Sequence, residues 1–391
     1  MFDLGRYRLD TPGCTDKVFL DSAGSSLPPT AVTDSVIAHL RREAEVGGYV
    51  AAAERADDLA AAKASIGTLI GCTPSDVALC DSATRAWNDF FQAVPLQAGD
   101  RILISEVEYA SNAISALQRA RRVGAVVDVV PSDAYGQLDL SALETMLDDR
   151  VRMVSLVHVP TNSGLVNPVR EAVDMVHRVG GLVLLDACQS VGQIAIDMDE
   201  LGVDALSATG RKWLRGPRGT GFLALRRGLA ESLEPRALDL HGADWTAPTE
   251  FTMAPDASRF EFWECDVAGR LGLGAAVDYL LELGVSTVEE QVSERAEYLR
   301  DELARIRGVT VRDLGEQRCG IVTFTVDGYD SGDVRTALSR SNITVTASPR
   351  GSTLLDMTGR DLVSVVRASP HYFTSYSDLD TAVAEIGVLT R

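Results

Sequence analysis

Cations are scarce in this chain. Its 391 residues carry 56 acidic side chains against 37 Lys and Arg, a formal charge of −19 with histidine neutral. That balance repels nucleic acid and anionic membranes, and its ordinary consequence is solubility. Long hydrophobic runs are missing too: no apolar stretch approaches the ~18–20 residues of a membrane span. The first residues, "MFDLGRYRLDTPGC", contain no apolar signal core. Cysteine is sparse and scattered over Cys14, Cys72, Cys80, Cys188, Cys265 and Cys319, with no CxxC pair and no short-range His partner. A metal site is therefore not expected, and free thiols fit a reducing compartment. Internal repeats and low-complexity tails are absent. Together these gaps lead us to expect a cytoplasmic globular protein without nucleic-acid, membrane or metal partners.

What is present is a regular alternation. From about residue 76 to 225, apolar runs rich in β-branched residues ("DVALCDS", "RILISEVEY", "AVVDVVPS", "VRMVSLVHV", "GLVLLDAC", "DALSATG", "GTGFLALRR") alternate with helical patterns such as "NAISALQRARRVGA" and "VREAVDMVHRVG". Near-continuous apolar strands joined by helices imply an α/β fold with a mostly parallel sheet covered on both faces. Ligands in such folds sit beyond the C-terminal strand ends. Helices are expected at about 29–45 and 56–70, before the sheet. The Pro- and Asp-rich stretch "HGADWTAPTEFTMAPDASRFEFWE" reads as a connection. It leads to a long helical region at 266–307 and then to a smaller α+β unit.

The strand ends carry the chemistry. "LVLLDACQS" ends a buried strand in Asp186, and a carboxylate in that position needs a cationic partner to offset its desolvation. Gln189 follows three positions on. "SATGRK" places Thr209, Gly210, Arg211 and Lys212 just past the next strand. "LCDSATRAW" ends a strand at Ser82, Ala83 and Thr84 where a helix begins, and free N–H groups at such a start bind phosphate. Taken singly, each feature has an ordinary reading: a strand-end acid, a solvated lysine, a helix cap. Taken in order, they form a carboxylate, an amine and a phosphate cradle at one sheet edge. That set suits pyridoxal 5′-phosphate (PLP), with a lysine for the Schiff base and an acid for the pyridinium nitrogen. Neighbouring Arg211, with Arg215 and Arg218 if they point inward, would lower the pKa of Lys212.

The order of phosphate turn, Asp-x-x-Gln and Ser/Thr-Gly-x-Lys resembles the class V aminotransferase superfamily, from "FLDSAGSSLPP" to "VRASPHYFTSYSDLD". The resemblance implies a fold-type I PLP-dependent transferase fold, in which a large mostly parallel seven-stranded sheet domain (18–262) is joined to a smaller α+β C-terminal domain (1–17 and 263–391). It also implies a homodimer and a small-molecule amino-acid substrate. Residue by residue, it makes Lys212 the Schiff-base lysine, Asp186 the partner of the pyridine nitrogen and Gln189 the donor to the ring hydroxyl oxygen. Ala83, Thr84 and Thr209 fall at the phosphate, and Tyr109 at the ring-stacking position, with a catalytic role alongside Lys212 and Asp186. Thr161 or Asn162 matches the polar residue at the ring oxygen. Arg367 matches the grip on a substrate carboxylate, with Tyr49 and Arg211 also assigned to the substrate.

Departures from the family pattern narrow the reaction. Cysteine desulfurases carry a nucleophilic Cys in the loop before the final Arg, and "TASPRGSTLLDMTGRD" contains none. "RFE" at Arg259–Glu261 is followed by "FWECD", without the threonine turn that reaches the partner subunit's phosphate in the family. The stretches "REAEVGGYVAAAE" and "GRKWLRGPRGTGFL" are similar to the branch that holds the ergothioneine-biosynthesis C–S lyase, isopenicillin N epimerase-like proteins and lincosamide-pathway enzymes for S-glycosylated cysteines. The reading that follows is a PLP-dependent C–S lyase of secondary metabolism or antibiotic biosynthesis, acting by β-elimination on an S-substituted cysteine or its sulfoxide. Decarboxylation with oxidative deamination, transamination and epimerisation remain alternatives. Trp213 is expected to pack in the core, and Arg215 and Arg218 to serve structure.

Overall fold

The computed structural model describes residues 2–390. Seven strands form the main sheet: β1 Val77–Cys80, β2 Arg101–Ser105, β3 Val126–Val130, β4 Val151–Val157, β5 Leu182–Asp186, β6 Ala205–Thr209 and β7 Gly221–Leu225. Their spatial order is β1-β7-β6-β5-β4-β2-β3. Only β7 runs antiparallel to its neighbours, pairing with both β1 and β6. This is the expected α/β architecture with a mostly parallel seven-stranded sheet.

Alternate residues along each strand feed two separate cores, as the two-residue strand period requires. Leu103, Val154, Val183, Leu185 and Leu206 pack on one face with Val173 and Val176 of helix Val169–Arg178. Ile102, Ile104, Met153, Leu184 and Leu223 pack on the other with Trp87, Phe90 and Phe91 of helix Ala83–Ala93. Each large side chain buried this way stabilises the fold by about 1.5–3 kcal/mol. The parallel strands end at one edge, and β7 starts there. Six chain segments, at 81–84, 109, 157–161, 186–189, 209–212 and 219–220, therefore converge on a single cleft.

A second, antiparallel sheet is built from β8 Val309–Val311, β9 Val322–Val326, β10 Thr346–Pro349 and β11 Ser364–Ala368, in the order β8-β9-β11-β10. Packing crosses the boundaries expected at 17/18 and 262/263. Val18 and Leu20 lie in the core of the small sheet with Leu299, Phe324 and Val366, and Val18–Phe19 pairs in parallel with Ile343–Thr344. Conversely, Leu273, Val277 and Leu280 of helix Val267–Leu283 join the core of the large unit. Burial decides membership here, and composition at the connection does not reveal it. The long helical region is two helices, Val267–Leu283 and Val285–Ala304, bent by 82°. Gly284 takes the positive φ of +91° between them, which favours glycine. The presumed connection folds an exposed hairpin, Ala243–Ala247 with Glu250–Met253. Among the described residues no single helix is long and apolar enough to cross a membrane.

Candidate active site

The cleft at the strand ends spans about 630 Å³ and is lined by Ala83, Thr84, Tyr109, Thr161, Asp186, Gln189, Thr209, Arg211 and Lys212, along with Cys188 and Thr220. Strand β5 delivers Asp186 to its floor, 6% exposed. Asp186 Oδ1 accepts the backbone N–H of Cys188 at 3.0 Å and Oδ2 accepts Asn112 Nδ2 at 2.8 Å. These two hydrogen bonds fix the orientation of the carboxyl group. Lys212 sits on the turn after β6. Burial lowers its pKa, the Arg211 and Arg367 cations add to the effect, and the Asp186 carboxylate opposes it. A lysine held this way is biased toward the free amine.

Opposite Lys212 lies the start of helix Ala83–Ala93. Ser82 is its N-cap, accepting Arg85 N–H at 3.2 Å. Thr84, for which the capping role was the ordinary alternative, is instead the second helical residue. The amides of Ala83 and Thr84 belong to the first turn, where intrahelical acceptors are lacking. Gly221 makes the close approach possible: a Cβ there would stand 2.6 Å from Ala208 O and 3.0 Å from Ala83 N. Thr209, 8% exposed, reaches Thr220 O at 3.3 Å and borders the same corner. This is an anion cradle of backbone amides at a helix N-terminus.

Gln189 is braced rather than free. Its Nε2 donates to Ala23 O at 3.1 Å and points to Thr161 Oγ1 at 3.5 Å, and its Oε1 accepts the indole N–H of Trp213 at 3.0 Å. Trp213, 1% exposed, packs in the core as expected and also fixes this amide. Tyr109 N-caps helix Ala110–Val123 with its ring at the cleft, 39% exposed.

The pair Thr161 and Asn162 separates. Thr161 lines the cleft and accepts Arg367 Nη1 at 2.7 Å. Asn162 turns away, donating to Thr353 Oγ1 at 2.9 Å and accepting Ser348 Oγ at 2.5 Å. Successive residues face opposite sides, so only one of the two reaches the cleft. Arg367, on β11, is 5% exposed. Its Nη2 pairs with Asp21 at 3.3 Å, while its Nε has no partner among the described residues. An unsatisfied guanidinium N–H beside a cleft suits a carboxylate. Arg211 lines the cleft and donates to Gly24 O.

Other expectations separate from the site. Tyr49 is 80% exposed and rests on Trp263 at a ring separation of 5.7 Å, outside the cleft lining. Arg215 points the other way, into a buried aromatic cluster, and Arg218 is exposed. Glu261 is held by Lys63 at 2.9 Å and Arg270 at 3.2 Å, which makes the "RFE" stretch a buried structural anchor. Glu264 lines a separate cavity with Arg85 and Arg270. All six cysteines are free, and no group of three or more metal-ligating side chains occurs among the described residues. Sequence reasoning missed Asp21, Glu108 and Asn112. Asp21 stood inside the quoted "FLDSAGSS", but nothing in the pattern showed that it reaches Arg367.

The cleft thus gathers a lysine amine, a hydrogen-bonded acid and first-turn amides, with a half-satisfied arginine next to its lining residue Thr161. The chain is 29% identical over 370 residues to a probable cysteine desulfurase of Halalkalibacterium halodurans, covering 93% of this chain and 90% of that protein. A cysteine desulfurase of Thermococcus onnurineus NA1 superposes with a TM-score of 0.92 at 21% identity, covering 100% of this chain and 98% of the other. The cystine C–S lyase C-DES, solved with cysteine persulfide, does so with a TM-score of 0.88 at 23% identity, covering 96% and 99%. The model for "Aminotransferase class-V" matches residues 18–381. The chain therefore belongs to the aminotransferase class-V family, and its strand-end cleft fits the cofactor of that family, pyridoxal 5′-phosphate.

Proposed function

We propose that this protein is a PLP-dependent C–S lyase that cleaves an S-substituted L-cysteine, or its sulfoxide, by β-elimination. One observation carries the reading: the cleft offers Lys212 and Asp186, with Arg367 behind its lining residue Thr161, while the loop before Arg367 holds no cysteine. The thiol that does line the cleft, Cys188, is pushed up out of the thiolate range, chiefly by burial and then by the Asp186 charge. A neutral thiol is a poor nucleophile toward sulfur, so this site favours release of sulfur on its own substituent over capture as a protein persulfide.

Bound in the cleft, PLP supplies an electron sink for the pair released when a bond at the substrate Cα breaks. The amides at Ala83 and Thr84, with Thr209, would hold its phosphate. Asp186 would face the ring nitrogen, Gln189 and Thr161 the ring oxygen, and Tyr109 the ring plane. Lys212 is the attachment point and afterwards the general base. Its amine takes the Cα proton, the Cβ–S bond breaks, and sulfur leaves with the bonding pair as thiolate or sulfenate. Hydrolysis of the remaining three-carbon unit yields pyruvate and ammonia. Arg367 Nε, with Thr161 and Asp21 fixing the rest of the guanidinium, would bind the substrate carboxylate and so set which Cα bond breaks.

The homodimer belongs to the same proposal. Trp245 on the hairpin is 80% exposed and Phe251 52%, and the Tyr49–Trp263 pair is also at the surface. Exposed aromatics on this scale support an interaction surface, and Tyr49 would meet substrate only across such an interface. A cytoplasmic location and a role in secondary metabolism rest on composition and on the branch resemblance.

The deciding experiment incubates the holoenzyme with S-alkyl cysteines, their sulfoxides and S-glycosyl cysteines, and reads the products by mass spectrometry. Pyruvate together with the released sulfur fragment is the expected result. A product that keeps its sulfur and has lost CO2 would replace the lyase with a decarboxylase, and keto-acid exchange would replace it with an aminotransferase.

A further inference from the structure

Two buried atoms near the cleft floor have no hydrogen-bond partner among the described residues, Glu108 Oε2 and Ser155 Oγ. Glu108 lies between β2 and helix Ala110–Val123 and is 3% exposed. Its other oxygen, Oε1, accepts the backbone N–H of Tyr109 at 2.8 Å and Asn112 Nδ2 at 3.0 Å. The same Asn112 nitrogen donates to Asp186 Oδ2 at 2.8 Å. An amide nitrogen carries two protons, so one goes to each carboxyl group. The two acids therefore share a single buried donor, 74 residues apart in sequence on one side of it and four on the other.

A carboxyl group buried out of water beside another acid is disfavoured in its ionised form. The surroundings of the two differ. Asp186 accepts a second N–H, from Cys188, and faces the cleft with Lys212 and Arg211. Glu108 meets neutral groups: Ser155 from β4, and Asn112 and the Tyr109 amide from its own side. The charged group facing it is Asp186, from β5. Burial, reinforced by the Asp186 charge, raises Glu108 to about 8. A protonated Glu108 has an O–H to donate, and the Ser155 hydroxyl beside it lacks a partner. A hydrogen bond between these two groups, which either hydroxyl can donate, accounts for both orphaned atoms.

We propose that Glu108 is a neutral carboxylic acid that anchors Asn112, and that Asn112 is a positioning residue that holds the Asp186 carboxyl group oriented for the cofactor ring. The inference rests on the PLP reading and adds two residues to it that never touch the cofactor. Its logic is that a carboxyl group accepting two N–H bonds from opposite sides is rotationally fixed. Asn112 supplies one of those bonds only while Glu108 holds the other end of its amide.

The test uses purified holoenzyme and two readouts besides turnover: the PLP dissociation constant by equilibrium dialysis, and the pH midpoint of the visible cofactor band. Glu108→Gln has the shape and the donor–acceptor pattern of the protonated acid, so both readouts should match wild type, within about twofold for binding. Glu108→Ala and Asn112→Leu should each weaken PLP about tenfold, as expected for losing a hydrogen bond to a charged group, and should move the midpoint. Asn112→Asp preserves size but puts a third acid at the bridge, and should weaken PLP further. If Glu108→Gln is as damaging as Glu108→Ala, the residue acts as a charge and the proposal falls. If Asn112→Leu and Asn112→Asp leave affinity and midpoint unchanged, the positioning role falls. A wild-type protein that takes up no PLP overturns the cofactor reading beneath it, whereas a loaded wild type with unresponsive variants overturns this inference alone.

Discussion

The turn that carries Lys212 has two sides with opposite treatments of the same charge. On the cleft side, Arg211 is half-buried, donates to the backbone of Gly24 and helps to lower the pKa of Lys212. Four residues on, Arg215 is 2% exposed and φ-positive at +63°, and it forms no ion pair among the described residues. Its guanidinium lies 4.5 Å from the Phe373 ring centroid and 5.1 Å from that of Tyr372, and it donates to Leu27 O at 2.8 Å, to Thr11 Oγ1 at 2.6 Å and to the Tyr372 hydroxyl. A buried cation without a counter-ion is tolerated when aromatic faces and neutral acceptors surround it. The cleft side holds groups ready for chemistry. The reverse side uses charge as a structural bolt. Proximity in a basic loop therefore says nothing about function until the side-chain directions are known.

Substitutions on the two sides should separate cleanly. The largest effect belongs to Lys212→Ala, with turnover down by about 10⁴-fold, the upper range for a general base, and an unchanged unfolding midpoint. Residual turnover near wild type would move the chemistry to another amine, and borohydride trapping followed by peptide mapping would find it. Next comes Asp186→Asn, which keeps shape and removes charge. A loss of several hundredfold, about 3–4 kcal/mol, is expected for one preorganised electrostatic group, measured as kcat/KM with PLP saturating. Arg215→Met inverts the pattern. Three acceptors lose a charged donor, so stability should fall by about 2–3 kcal/mol in urea titrations, while the folded fraction keeps its cofactor spectrum. Equal losses of stability in Lys212→Ala and Arg215→Met would erase the distinction between the two sides. The smallest effect sharpens it: Cys188→Ala alters a cleft-lining residue yet should change turnover by less than roughly twofold. Abolished activity there would restore a cysteine-dependent reaction.

Much of this was readable from residue order alone. The apolar runs ended where the strands end, because a buried parallel strand must be apolar throughout and its carboxyl edge is where polar residues resume. Asp186, Lys212, Thr209 and Ala83 could be placed in one cleft for that reason. Side-chain direction was not readable. Thr161 and Asn162 are equally polar neighbours, and only backbone phase sends one inward. Asn112 looks like any polar residue in a first helical turn; its reach to Asp186 depends on β2 and β5 flanking β4 in the sheet. Glu108 gave no hint of burial, since a Glu after "ISEV" reads as solvated. Tyr49 matched a branch pattern, yet in the single chain it lies on the surface. Helix Val267–Leu283 follows a polar connection, and the residues it packs into the large core were not readable from that change of composition.

The Arg215 bolt also sets a timetable. Its partners come from residues 11, 27 and 372–373, so it draws on the first and last parts of the chain at once. A chain emerging from the ribosome owns the whole seven-stranded sheet once residue 225 is free, yet the turn bearing Lys212 still lacks its reverse-side lock. Only when the segment around Tyr372 docks does that turn take its final form. Contacts this distant in sequence close late in folding. A chain truncated before residue 372 would therefore carry the lysine turn without two of the groups that brace its reverse side, the Tyr372 hydroxyl and the Phe373 ring.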